Sequence, residues 1–239
     1  MNIINFLENK SNSVTDTSTS DKTLEDNFLT GTGIEKGSTH DKEAIRRKDA
    51  ITERINTLKS SENYNADTAL GKDFRARVVE LEQSLQDIAD MRNDDSRIYQ
   101  FETGRINLTK KTGVKNGKEV ITMYSQHKHK PEWSAARLLD ENMPAQIHEM
   151  RHGGQIARGV IQVSEKGEPV GNWTLDIEVS AYRAQYSWLG SLPYNPAQGN
   201  VAFKHHRNNI LGIDKKFVWN TYEWQGDRQV FLYRMLGFR

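Results

Sequence analysis

The chain has 239 residues, no cysteine, 33 basic against 32 acidic side chains and a formal charge of +1. Without cysteine there is no disulfide and no thiol chemistry, so any metal must be held by imidazole and carboxylate, and the near-zero charge offers no strongly basic field for nucleic acid. No apolar run approaches the ~18 residues of a membrane span. The start, Met1-Asn-Ile-Ile-Asn-Phe-Leu-Glu8, lacks the basic and apolar regions of a signal peptide, so export would need a specialised route.

Residues 1–38 are rich in Ser, Thr, Asp, Asn and Gly and read as a flexible tail or linker. Its short apolar cluster, Ile3, Ile4, Phe6 and Leu7, fits a docking segment or a frayed terminus equally well. From Asp41 to about Lys59, Ala44, Ile51, Ile55 and Leu58 recur at helical spacing, and from about Ala69 to Met91 so do Phe74, Val78, Leu81, Leu85 and Ile88. The polar loop between them predicts an antiparallel helical hairpin over 39–93, burying its stripes together or against the rest of the chain. It would serve as a docking or delivery module, or as a structural clamp.

A third segment, 94–239, begins with β-prone stretches at Ile98–Phe101, Ile106–Leu108 and Val120–Tyr124, with a hairpin turn signal at Lys115-Asn-Gly-Lys118. A small sheet is expected there, giving an α+β fold.

The most informative stretch is His148-Glu-Met-Arg-His152. Histidines at i and i+4 share one helical face and can bind one Zn²⁺ through neutral ring nitrogens, with Glu149 beside the metal as general base. Asn142 and Pro144 suggest that this helix starts just before the motif, as N-cap and first-turn proline. A catalytic zinc needs a third protein ligand and an open position for water. The best candidate ligand is Glu178. It lies in a second helical segment, Thr174–Trp188, where Leu175, Val179, Tyr182 and Tyr186 recur, and it shares a stripe with Ala181, Tyr182 and Gln185. Asp176, its rival, falls on another side. Tyr182 is a candidate catalytic residue through its hydroxyl, although a half-buried packing role suits it as well.

These residues resemble the gluzincin metallopeptidases, which join an HExxH helix to a glutamate on a following helix, often in an ExxA setting such as Glu178-Val-Ser-Ala181. More narrowly, HEMRHGGQ followed by DIEVSAYRAQYSWLG resembles the metallopeptidase domains at the C-terminal ends of bacterial Rhs-type and other polymorphic toxins. The resemblance covers about residues 145–190. It implies a zincin-like catalytic domain, His148, His152 and Glu178 as zinc ligands, Glu149 as base, and an edge strand along which an extended peptide could pair. It also implies a protein or peptide substrate, an immunity or inhibitor protein or a secretion-system carrier as partners, and delivery outside the producing cell. The chain departs from the pattern at Gly153-Gly154, two residues that cost about 2 kcal/mol of helix propensity relative to alanine. Either the helix ends there or the glycines admit a very close neighbour.

Two further histidine pairs, His127/His129 and His205-His206, read as surface or cleft residues; lysines flank the first and oppose a cation. The aromatic C-terminal stretch, with Phe217, Trp219, Tyr222, Trp224, Phe231, Tyr233 and Phe238, reads as core. The expected function is zinc-dependent peptide hydrolysis, with Glu149 activating a zinc-bound water. The alternatives are a non-catalytic zincin-fold binding module and a zinc hydrolase of a non-peptide amide.

Overall fold

A computed structural model describes residues 31–171, 173–189 and 209–224. The Ile3–Leu7 cluster, His205-His206, Phe231, Tyr233, Phe238 and the side chains of Tyr222 and Trp224 lie outside the described residues.

The two amphipathic repeats form helices α1 (Thr39–Lys59) and α2 (Ala69–Asn93). Each starts on a hydroxyl cap: Ser38 Oγ accepts the Asp41 N–H (3.1 Å) and Thr68 Oγ1 accepts the Gly71 N–H (3.1 Å), each satisfying one of the donors a helix start leaves open. They run antiparallel, since Asp41 at the start of α1 pairs with Arg92 at the end of α2. Residues ahead of α1 are docked as well. Ile34 is fully buried, Gly33 N–H donates to Arg92 O (2.8 Å), and Gly33 O accepts from Tyr99 N–H (2.7 Å). Composition alone reads this stretch as tail because its few apolar residues have no period.

The sheet consists of β1 (Arg97–Gly104), β2 (Leu108–Lys115) and β3 (Lys118–Gln126) in the order β1-β3-β2. The β1/β3 pair is parallel and β2/β3 is an antiparallel hairpin. Its turn is Asn116-Gly117, with positive φ at both residues (54° and 77°), the geometry that matches the twist of the flanking strands. The strand expected near Ile106–Leu108 is displaced: Ile106 is exposed, and β2 continues through Lys110-Lys-Thr-Gly-Val-Lys115 with an irregularity between Lys111 and Gly113. A polar, bulged edge strand carries little hydrophobic alternation, so it is faint in sequence.

The motif helix, α3 (Ala135–Ala157), starts a full two turns earlier than expected, on a Ser134 cap. Pro144 therefore lies inside the helix and Asn142 is no cap. Instead the Asn142 amide ties the β3–α3 connection down, accepting from Lys128 N (2.7 Å) and donating to Lys128 O (3.0 Å) and Leu138 O (2.7 Å). The helix also runs on through Gly153-Gly154, because both glycines face close neighbours: a Cβ at 153 would lie 2.4 Å from Met91 Sδ, and one at 154 would lie 2.4 Å from Asp87 Oδ1. After a short β4/β5 hairpin (Gln162–Val163 and Pro169–Val170) come α4 (Leu175–Leu189), a 3₁₀ turn (Ile210–Gly212) and α5 (Lys215–Trp224).

One buried cluster takes in Ile51, Leu81, Ile88 and Met91 from the hairpin together with Tyr99, Ile121, Met150 and Ile156. The hairpin and the segment after residue 93 thus share a core, and of the two burial modes left open for the hairpin stripes, both are used. A second cluster joins Val179, Tyr182 and Tyr186 of α4 to Ile210, Ile213, Phe217 and Val218, so of the C-terminal aromatics within the described residues Phe217 does complete a core, while Trp219 is half-buried and outside both clusters. The fold is α+β. Among the described residues no helix is long and apolar enough to cross a membrane.

Candidate metal centre

On α3 the apolar positions Ile147, Met150 and Ile156 turn into the core, which leaves His148 and His152 one turn apart toward α4. Their rings meet edge-on with centroids 4.9 Å apart. The first turn of α4 brings Glu178 to the same place, and fully buried Ala181, one turn on, adds no bulk between α4 and its neighbours. The three side chains converge. His148 Nε2 and His152 Nε2 are 3.2 Å apart, Glu178 Oε2 is 3.6 Å from His148 Nε2, and Glu178 Oε1 is 3.5 Å from His152 Nε2. His148, His152 and Glu178 each offer one ligand atom within 4.8 Å of the others, a set of two imidazoles and a carboxylate that could hold a metal ion.

Arg151, between the two histidines, fixes the helices that carry the triad. Its Nε donates to Asp87 (2.6 Å), one terminal nitrogen to Glu80 Oε2 (2.9 Å) and Ser180 Oγ (2.7 Å), and the other to Glu80 O (3.0 Å). Since Ser180 follows Glu178 by two residues, one buried guanidinium sets α3 against both α2 and α4.

Burial governs the electrostatics. It depresses the His152 pKa to about 4 despite the attraction of Glu178. Burial acts the same way on His148, but there the carboxylates of Glu178 and Glu149 outweigh it and hold the pKa above its usual 6.5. The pair thus favours a proton on His148 and a neutral imidazole at His152. Glu149 is pushed up to about 7, mainly by desolvation, against the pull of His148 and of a hydrogen bond from Thr109. That bond comes from the edge strand: Thr109 Oγ1 lies 2.7 Å from Glu149 Oε2 and 3.3 Å from Glu149 O.

Aromatic rings wall the site. Trp173 leans on His152 (centroids 5.0 Å), and Tyr182 meets His148 edge-on (4.8 Å) while packing against Tyr186 (6.1 Å) and Phe217 (6.3 Å). The Tyr182 ring is buried in these contacts. Asp176 is exposed and pairs with Lys215 (2.8 Å), away from the triad. His127 and His129 stack on each other at the surface (6.2 Å) and do not join the cluster.

His148, His152 and Glu178 are thus brought together, with Glu149 beside them. Thr109, Trp173 and Gln155 are additions that sequence reasoning misses. Helical spacing could have found Gln155, three residues after His152, whereas Thr109 and Trp173 arrive through tertiary packing and leave no local signal. Comparison with protein-family models, curated proteins and solved structures finds no match to this chain.

Proposed function

We propose that this chain is a zinc-dependent peptidase of gluzincin type with a zincin-like catalytic region. The observation that carries the proposal is the convergence of three buried or nearly buried donor groups at 3.2–3.6 Å, with a buried carboxylate next to them. His148, His152 and Glu178 would hold the ion. When bound, zinc supplies Lewis-acid activation of water and of the scissile carbonyl.

The remaining roles belong to the chain. His152 is neutral at physiological pH, so its Nε2 lone pair is available without first losing a proton. Glu149, poised near neutrality, can accept a proton from water and return it to the leaving amine, the property a general base working near pH 7 needs. Thr109 holds one of its oxygens at 2.7 Å, which limits rotation of the carboxylate. The Glu149 base also favours catalysis over a purely structural metal site, which needs none. A toxin or effector role, with delivery outside the producing cell, is supported by the resemblance of the HEMRHGGQ and DIEVSAYRAQYSWLG stretches to polymorphic-toxin metallopeptidase domains.

The test is metal content followed by hydrolysis. Wild type should carry about one zinc per chain, and His152→Ala and Glu178→Ala should lose most of it. Glu149→Gln should keep the metal while failing to cleave a peptide library that wild type cleaves. Wild type that takes up no zinc on reconstitution would end the proposal, and undiminished turnover by Glu149→Gln would remove Glu149 from the mechanism.

A further inference from the structure

Gln155 has no part in the ligand triad, yet it is buried with it: Gln155 is 6 % and His152 4 % exposed. Its Oε1 lies 3.0 Å from His152 Nδ1. An amide oxygen can only accept, so the hydrogen must sit on Nδ1, and Nε2 is left bare toward His148 and Glu178. Trp173 closes on the same ring (centroids 5.0 Å), so the imidazole is held in its plane by an aromatic neighbour and at its far nitrogen by a hydrogen bond. His148 is held differently. Its ring meets Tyr182 edge-on at 4.8 Å, and Gln185, from α4, is its side-chain hydrogen-bond neighbour.

The glycine pair takes on a purpose here. Gln155 reaches His152 only because the helix continues for another turn, which places i and i+3 side by side. Gly153 and Gly154 allow that turn to pass within contact of Met91, Met123 and Asp87. A helix ending at the glycines would leave His152 with no side chain at this position.

We infer that Gln155 is the positioning residue for His152, selecting the Nδ1–H tautomer that presents Nε2 to the metal; the inference rests on the metal-centre reading above. Groups in this position typically contribute 10–100-fold to metal affinity. Three measurements on the full chain test it. Long-range ¹H–¹⁵N correlation on the metal-free protein at pH 8 should show His152 as the Nδ1–H tautomer, and an Nε2–H tautomer would overturn the inference without any variant. In zinc competition against a chromophoric chelator, Gln155→Leu should raise Kd about 10–100-fold, and Gln155→Glu, which keeps an acceptor, should restore wild-type affinity or better. The cobalt-substituted Gln155→Glu protein should retain the wild-type d–d spectrum. A Gln155→Leu Kd within about twofold of wild type overturns the inference alone. Wild type that binds neither zinc nor cobalt overturns the metal-centre reading beneath it.

Discussion

Replacing Gly154 by alanine should destabilise the fold although it improves helix propensity. The propensity gain is about 1 kcal/mol. Against it, the new Cβ would sit 2.4, 2.6 and 2.7 Å from Oδ1, Cβ and Cγ of Asp87. Because Asp87 Cβ is among the clashing atoms, rotating the carboxylate away does not relieve the contact, and either α2 or α3 must shift. Overpacking of this kind costs about 1–3 kcal/mol. Asp87 is also buried between Arg151 (2.6 Å) and Arg158 (2.8 Å), so displacing it loosens an ion-pair network whose outright disruption costs about 3–5 kcal/mol. With part of that term added and the propensity gain subtracted, the net loss is about 1–4 kcal/mol. Gly153→Ala is the internal control. Its Cβ would meet Met91 Sδ at 2.4 Å and Met123 Sδ at 2.7 Å, both on flexible thioether chains that can rotate aside, so its cost should be offset by propensity to within about 1 kcal/mol. Urea unfolding of the metal-free chain, followed by far-UV circular dichroism at constant m, separates the two. Gly154→Ala as stable as wild type, or Gly153→Ala the costlier of the pair, would refute the packing account.

Glu149→Gln should stabilise the metal-free protein at pH 8. With Glu149 at about 7 against an ordinary 4.5, the folded chain keeps a proton between those values that the unfolded chain has released, so this group's contribution falls as pH rises through the window. His152, at about 4 against 6.5, acts in the opposite sense between pH 4 and 6.5, so the wild-type curve alone does not isolate the effect. The difference between variant and wild type does: it should grow from pH 4.5 to 7 and reach roughly 3 kcal/mol at most, and a flat difference in chemical denaturation would contradict it. Thr109→Val removes a hydrogen bond to the ionised form of Glu149, so the acidic limb of the pH profile of the proposed peptidase activity should move up, and an unmoved limb would show that Thr109 does not act on Glu149. For Asp41, burial opposes ionisation, but the Gly37 N–H and Arg92 outweigh it and hold the pKa below 3.8. Its contribution is therefore present above about pH 4 and lost as pH falls through the folded value. Asp41→Asn should cost about 2–4 kcal/mol at pH 7 and progressively less in acid, as read by urea midpoints across pH.

Much of the site is legible in the chain itself, because its parts are local. His148 and His152 share a helical face by spacing alone, Glu178 shares one with Ala181 and Tyr182, and Asn116-Gly117 specifies a tight hairpin; each needs only the helical or strand period and the steric demands of one turn. The two repeats in 39–93 are read as helices for the same reason. Where several local signals compete, the reading fails. Asn142 and Pro144 look like a helix start, yet the Ser134 cap and the docking of Asn142 on Lys128 place them mid-helix, because distant contacts outweigh the cost of an internal proline. Gly153-Gly154 looks like a stop and is a point of close approach, which becomes visible only when α2 is laid against α3. The distance between the two histidines and Glu178, the burial that moves Glu149 toward neutrality and the hydroxyl of Thr109 on Glu149 depend on residues 26 to 40 positions apart meeting across packed elements. Sequence by itself determined which groups are candidates for the proposed chemistry, since that is a matter of residue type and period; tertiary structure alone decided their spacing and the direction of their pKa shifts, since those depend on which surfaces are buried against one another.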